Sequence, residues 1–166
     1  MLAIQKLVGC PKEFLGGGLV LLFILTGCTP PGPHALLQGE RLVHDGKYVQ
    51  AVEKLKLATE LLPKNAQAWN YLGLACHGAG QPSNAIIAYR KALALNRDLI
   101  AVHYNLGCVC LEQNNPNLAI EELTSFVAHP LYARNVDGWL KLGTAYLRSH
   151  RWDEAEKTYN HLLKKL

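Results

Sequence analysis

Cysteine and histidine are the side chains of this sequence with the greatest capacity for chemistry, as metal ligands or as nucleophiles. The chain has five cysteines and seven histidines. Cys108 and Cys110 stand two residues apart, but on a helix residues at that spacing do not face each other. The histidines lack the paired spacing of a His-Glu-x-x-His motif. We therefore predict no metal site, and we expect Cys76 and Cys110 to be buried free thiols.

Two other short motifs could suggest phosphate binding or catalysis, and neither is specific. Gly78-Ala79-Gly80 has closely spaced glycines, but it follows a helical pattern and lacks the lysine of a phosphate loop. Glu121-Glu122 is a carboxylate pair that we expect on a solvated helix face. The net charge of +4 on 166 residues is too small to indicate a nucleic-acid partner. The sequence predicts no catalytic residue, no cofactor and no small-molecule substrate.

The residues that precede Cys28 indicate that its thiol acts as a nucleophile. Residues 14–27 are an apolar run without charge, and their number suits a signal-peptide core better than a membrane-spanning helix. The run ends in Leu25-Thr26-Gly27-Cys28, which resembles a bacterial lipobox: an aliphatic residue, two small residues and a cysteine. The resemblance implies that residues 1–27 are a lipoprotein signal peptide and that the Cys28 thiol receives the lipid.

The lipid anchor determines the location that we expect. Stable anchoring needs more than one acyl chain, and bacterial lipoproteins usually carry two or three. In a Gram-negative bacterium, Thr29 in place of aspartate is compatible with the periplasmic face of the outer membrane. Residues 28–33, rich in proline, are predicted to form an extended tether between lipid and folded domain. An uncleaved membrane anchor and an ordinary signal peptide are the alternatives.

The remainder of the chain repeats itself every 34 to 36 residues. Two series of small residues keep this spacing at a constant offset of 12: Gly39, Gly73, Gly107 and Gly143, and Ala51, Ala85, Ala119 and Ala155. Trp69 and Trp139 each lie four residues before one of the glycines, and Tyr89 and Tyr159 lie four residues after one of the alanines. This pattern resembles the tetratricopeptide repeat family, whose 34-residue unit has tryptophan, leucine-glycine, tyrosine and alanine at these places.

The resemblance implies an all-α fold, an α–α superhelix of four helix–turn–helix repeats in a domain that spans residues 34–166. The repeats are predicted at 32–65, 66–99, 100–135 and 136–166. In each repeat two antiparallel helices, A and B, cross most closely at the glycine and the alanine. Repeat three has two extra residues, near 129–135. Repeat four has no following helix in the sequence, so its helix B is expected to act as the end cap.

The resemblance also places a binding surface on the concave side, at the second, fifth, ninth and twelfth positions of each helix A. We expect repeats two and three to contribute one continuous inner surface there: Asn70, Leu74, His77, Tyr104, Cys108 and Leu111. Lys141 stands at the sixth position of repeat four, where chaperone-binding members of the family clamp a peptide carboxylate. The rest of that clamp is missing, because Leu74 and Asp137 stand where it needs asparagine and lysine.

These features together predict a lipid-anchored protein–protein interaction module, or scaffold, in the bacterial cell envelope. It holds a segment of an unidentified envelope protein in its concave groove and performs no chemistry. Anchoring raises the local concentration at which it meets a membrane-bound partner. The alternative is a structural envelope protein that associates with its own copies through the last repeat or through the 129–135 loop.

Overall fold

The computed structural model describes residues 30–164, and this part of the chain consists of eight α-helices without a β-strand. The helices are α1 (Pro31–His44), α2 (Tyr48–Leu61), α3 (Ala66–Gly78), α4 (Pro82–Leu95), α5 (Ile100–Glu112), α6 (Pro116–Ala128), α7 (Val136–Arg148) and α8 (Trp152–Leu163). The predicted signal peptide, the predicted lipidation site Cys28 and residues 165–166 lie outside the described residues. None of the described helices is long and apolar enough to cross a membrane.

The eight helices pack as four consecutive pairs, and each pair is one predicted repeat. In every repeat the odd-numbered helix is helix A and packs on the following helix B. Each helix B also packs on the next helix A, and successive A helices contact one another from α1 to α7. The predicted fold, an all-α superhelix of four helix–turn–helix repeats, is therefore confirmed.

Glycine at the eighth repeat position lets helix A lie against a large side chain of helix B. A Cβ on Gly73 would lie 2.5 Å from two ring carbons of Tyr89, a side chain that is fully buried. The same contact recurs in the other repeats: Gly39 with Leu55, Gly107 with Leu123 and Gly143 with Tyr159. The predicted close crossing is present, and the residue that the glycine accommodates lies four positions after the repeat's alanine.

The turn between helix A and helix B has the same backbone conformation in every repeat. Its fifteenth repeat residue has a positive φ: 71° at Gly46, 70° at Gly80, 52° at Asn114 and 59° at His150. The following amide then bonds back to the helix, as Gln81 N does to the Cys76 carbonyl at 2.8 Å, which is the usual helix ending with a left-handed residue. Asn114 and His150 incur a steric cost here that glycine does not.

The predicted extended tether, residues 28–33, is wrong for its last three residues, because α1 begins at Pro31. Proline is tolerated in a first helical turn, where amides have no helical partner in any case. Gly32 is buried in that turn, and a Cβ there would lie 2.9 Å from Cγ of Leu62 at the end of α2. Packing against α2 therefore extends the helix into the proline-rich segment.

Repeat one presents a polar surface where the other repeats are apolar. The third, seventh and tenth positions of helix A in repeat two are buried against the preceding repeat: Ala68, Leu72 and Ala75. Repeat one has His34, Gln38 and Arg41 at these positions. The N-terminal end of the described array is therefore polar, as expected for a solvated cap.

Repeat four, in contrast, leaves apolar side chains exposed at positions that its neighbour buries. Leu147 and Leu163 are 40% and 67% exposed. Their counterparts in repeat three, Leu111 and Val127, are 8% and 3% exposed because α7 packs over them. A Cβ on Gly138 of α7, for example, would lie 3.1 Å from Cγ1 of Val127. The predicted end cap is thus only partly polar.

Candidate partner-binding groove

The predicted groove residues lie on the A helices, and all but one keep part of their surface exposed. They divide among three helices as follows: Asn70, Leu74 and His77 on α3, Tyr104, Cys108 and Leu111 on α5, and Lys141 on α7. Leu111 is the buried one, at 8% exposure. Its carbonyl accepts a hydrogen bond of 2.7 Å from Nη1 of Arg148, which ties α7 to α5.

Hydrogen bonds between successive A helices fix the spacing of the concave face. The Tyr71 hydroxyl donates to Glu40 Oε1 on α1 at 2.6 Å. This bond is the main cause that raises the pKa of Tyr71 to about 12, so the hydroxyl remains a donor at neutral pH. One step along the array, His77 Nε2 lies 2.9 Å from Glu112 Oε2 on α5. The face is therefore held in place before any partner arrives.

Tyr104 makes the corresponding link between α5 and α7. Its hydroxyl donates to Asp137, whose Oδ1 also lies 3.9 Å from Nζ of Lys141. Its ring packs on Phe126, with 5.0 Å between the ring centroids. Burial, followed by the hydrogen bond to Asp137, raises the pKa of Tyr104. Because its proton is committed to Asp137, this residue positions the groove rather than offering a free donor to a partner.

Six of the seven predicted groove residues line concavities in the described part of the chain. Three concavities share the predicted residues: Leu74 and His77 line one of about 320 Å³, Cys108, Leu111 and Lys141 line one of about 200 Å³, and Asn70 lines one of about 370 Å³. The last lies beside the loop after α6, which contributes Leu131 and Tyr132. The structure thus brings the predicted residues together in small groups.

The thiols of repeat three lie in different surroundings. Cys110 and its counterpart Cys76 are 0% and 1% exposed and form no disulfide, which confirms the prediction of buried free thiols. Cys108 reaches the concave face instead. Burial raises the pKa of Cys110 to about 11 and also raises the pKa of Cys108, so neither is an activated nucleophile near neutral pH. Within residues 30–164, no group of three or more histidine, cysteine, aspartate or glutamate side chains could hold a metal ion.

Glu122 is not on a solvated face as predicted for the pair Glu121-Glu122. Its carboxylate lies 2.6 Å from Nδ1 of His103, and the two side chains are only 12% and 17% exposed. His103 stands where repeats two and four have Trp69 and Trp139, whose indole N–H groups donate to backbone carbonyls six residues earlier at 3.0 Å. In repeat three, the contact between His103 on α5 and Glu122 on α6 takes the place of the indole–carbonyl hydrogen bond.

Sequence comparison identifies the family to which these repeats belong. Two family models described as tetratricopeptide repeat match residues 66–99 and 104–165. The chain belongs to the tetratricopeptide repeat family. The predicted resemblance is therefore confirmed for the repeats, and the protein is a protein–protein interaction module by family.

Two curated proteins resemble the chain over part of their length. The chain is 33% identical to Protein FlbA of Caulobacter vibrioides over 123 residues, which is 68% of this chain and 20% of that protein. It is 30% identical to a peroxisomal targeting signal receptor of Candida albicans over 79 residues, which is 48% of this chain and 13% of that protein. The chain thus spans a fifth or less of the length of these relatives.

Solved structures of MamA have the same fold. Two crystal structures of MamA match with TM-scores of 0.75 and 0.76 at 27% and 26% identity. They cover 81% and 86% of this chain and 72% and 82% of their own. MamA of Desulfovibrio magneticus RS-1 matches with a TM-score of 0.75 at 18% identity, over 82% of this chain and 76% of its own. At that identity the match shows the fold alone.

Proposed function

We propose that the protein is a lipid-anchored interaction module that holds a segment of an envelope protein on its concave face, at a bacterial membrane. The observation that carries this proposal is the preformed face itself. Hydrogen bonds link each A helix to the next, while side chains between these links stay partly exposed. Such a surface binds without first having to be ordered, which lowers the entropic cost of association. The proposal includes no catalytic step.

The chemistry of the face suits a short helix or an extended segment with one or two apolar anchors. Leu74 is partly exposed beside His77, and Leu140 on α7 is 43% exposed. Lys141 and Glu112 line the concavity between α5 and α7, so charges of both signs are available at its rim. Small concavities with few anchors favour modest affinity, and the energy is expected to concentrate in a few contacts.

A photo-crosslinking experiment tests which face binds. A photoreactive amino acid replaces Lys141 on the concave face in one variant, and Ile87 of α4, a 64% exposed residue on a helix B, in the control variant. Both variants are irradiated in native envelope, and adducts are identified by mass spectrometry. We expect one protein to be captured from position 141 and not from position 87. Capture of a common partner from position 87 alone would disprove concave binding.

The lipid anchor is supported by the sequence Leu25-Thr26-Gly27-Cys28. In a Gram-negative bacterium Thr29 is compatible with the periplasmic face of the outer membrane. The test is Cys28→Ala, which we expect to remain an unprocessed precursor that takes up no radioactive palmitate, whereas Cys10→Ala should be processed and labelled like the wild type. If Cys28→Ala is still processed and lipidated, the protein is not a lipoprotein of this kind.

Self-association is the second candidate function, and the exposed apolar side chains of repeat four favour it. Leu163 in the last described helix is 67% exposed, and Leu131 in the loop after α6 is 81% exposed. Sedimentation of the full chain in detergent over a range of concentrations separates the candidates. A dimer that Leu163→Glu disrupts, and that Ile87→Glu leaves intact, would establish association through the last repeat. A monomer at all concentrations would exclude it.

A further inference from the structure

The loops between repeats lie along one edge of the array, where every helix A begins and every helix B ends. Gly32 at the start of α1 lies against Leu62, just after α2. Gly138 near the start of α7 likewise lies against Val127 near the end of α6. We call this side of the array the inter-repeat edge, and it consists of the end of α8 and three loops, residues 62–65, 96–99 and 129–135.

The proposed lipid anchor joins the array at this edge. The first helix begins at Pro31, three residues after Cys28. Three residues span at most about 11 Å even when they are fully extended. A lipid on Cys28 would therefore keep the start of α1 next to the lipid headgroups. A single attachment point leaves the orientation of the array open, so the side chains around it decide which surface lies on the membrane.

Exposed cations distinguish the inter-repeat edge from the opposite edge. Each repeat ends with one of them: Lys64, Arg97, Arg134 and Lys164. None of these four side chains forms an ion pair within residues 30–164. At the opposite edge, in contrast, Lys47 is paired with Asp45 at 3.3 Å. The exposed carboxylates of Glu60 and Asp98 offset part of the charge of the inter-repeat edge, which keeps an excess of positive charge.

The loop after α6 adds an apolar side chain to this edge. Leu131 is 81% exposed, and its amide donates to Nδ1 of His129 at 3.3 Å. The Tyr132 ring packs on Phe126, with 4.6 Å between the centroids, and the Tyr132 amide donates to the His129 carbonyl at 2.9 Å. The loop is therefore held by local packing, and Leu131 projects from a fixed place. Basic residues beside a projecting apolar side chain suit the interface of a membrane.

We infer that the inter-repeat edge lies on the anionic lipid headgroups of the membrane, with Leu131 inserted among them. The inference rests on the lipid anchor proposed above and adds a second membrane contact to it. Each cation near an anionic lipid surface strengthens binding about fivefold, and the cations of this edge extend from the first repeat to the last. The four repeats therefore lie side by side along the bilayer, and the turns between helix A and helix B point away from it.

The test measures how close three positions lie to the membrane. An apolar fluorescent amino acid replaces Leu131, Gln113 at the opposite edge, or Gln50, which is exposed at the N-terminal end of the array. Each variant of the full chain is reconstituted into vesicles of phosphatidylcholine, with or without phosphatidylglycerol, whose acyl chains are brominated to quench fluorescence. We expect quenching to be strongest at position 131 and to be about twofold stronger with phosphatidylglycerol.

Other outcomes would overturn the inference. Quenching at position 50 or 113 that equals or exceeds quenching at position 131 would place another surface on the membrane. Fluorescence at position 131 that changes with the ratio of protein to lipid, and not with bromination, would assign the edge to a second copy of the chain. Absence of quenching at position 131 would show that the edge stays away from the bilayer.

Charge reversal shows whether the cations orient the array. Arg97→Glu together with Arg134→Glu should abolish the effect of phosphatidylglycerol on quenching at position 131. Lys54→Glu together with Lys157→Glu, an equal change of charge at exposed positions in the middle of α2 and α8, should leave it unchanged. A response that survives the first pair would refute the inference.

The lipid anchor and the edge contact fail in different ways. Uptake of palmitate by Cys28→Ala would refute the anchor. Labelling of the wild type that depends on Cys28, without quenching at position 131, would refute the edge contact alone.

Discussion

Replacing Gly73 with alanine tests the packing that defines the repeat. In an exposed helix this change is stabilising, by about 1 kcal/mol. Here the new Cβ would lie 2.5 Å from Cδ1 and Cε1 of Tyr89, which is about 1 Å closer than ordinary carbon–carbon contact. Tyr89 is 0% exposed, so its ring has no room to move aside. Overpacking costs about 1–3 kcal/mol, and the helix propensity of alanine offsets about 1 kcal/mol of this, so we expect a net loss of up to about 2 kcal/mol in the free energy of unfolding.

The matched control is the same change at Gly143. Its Cβ would also lie 2.5 Å from the facing ring, that of Tyr159. That ring is only partly buried and belongs to the last repeat, so it can turn outward. We expect Gly143→Ala to change the free energy of unfolding by less than about 0.5 kcal/mol. Both free energies of unfolding are measured by urea denaturation followed by circular dichroism. The urea midpoints can be compared directly if the dependence of the free energy on urea concentration is the same in wild type and variants. Equal losses at the two glycines, or a gain at Gly73, would refute the reasoning.

Three further predictions concern single contacts. His150→Gly relieves a φ of 59° and should raise the free energy of unfolding by about 0.5–1 kcal/mol in urea, whereas Ser149→Gly should lower it. Burial raises the pKa of Cys110 from 9.0 to about 11. The contribution of the neutral Cys110 thiol to the free energy of unfolding is therefore complete below pH 9 and is lost as the pH rises to about 11. Between pH 9 and pH 11, the free energy of unfolding in urea should fall by on the order of 2 kcal/mol more in the wild type than in Cys110→Ala. Glu122→Ala deprives His103 of its partner and should cost about 1–2 kcal/mol in thermal unfolding, while Glu121→Ala should be close to neutral; equal effects at the two glutamates would contradict the assignment.

The repeat register made most of the fold predictable. A constant offset between the glycine and alanine series fixes where helix A and helix B cross, and α3 begins at Ala66, where repeat two was predicted to start. The proline-rich segment before repeat one was misjudged because its composition alone indicates an extended chain. What makes it helical is the contact of Gly32 with Leu62, some thirty residues away, and local sequence does not report that contact.

For the candidate site, the sequence predicted only which residues share a face of the repeat array. The resemblance to the tetratricopeptide repeat family assigned Asn70 and Tyr104 to the concave side, and both side chains are partly exposed. It could not indicate that Tyr104 bonds to Asp137, because that contact depends on the rise and rotation from one repeat to the next. The two extra residues of repeat three were visible in the sequence. The cleft that they help to form depends on how Tyr132 packs against Phe126.

The unequal polarity of the two ends has a consequence for how such a protein changes length in evolution. A duplicated 34-residue unit inserted after α8 would cover Leu147 and Leu163, which are now 40% and 67% exposed, and burying these side chains would stabilise the longer array. A unit inserted before α1 would have to bury Gln38 and the charge of Arg41, which is costly without new partners. Duplication can therefore lengthen this array from its C-terminal side, while its N-terminal side is closed to growth unless polar residues there are replaced first.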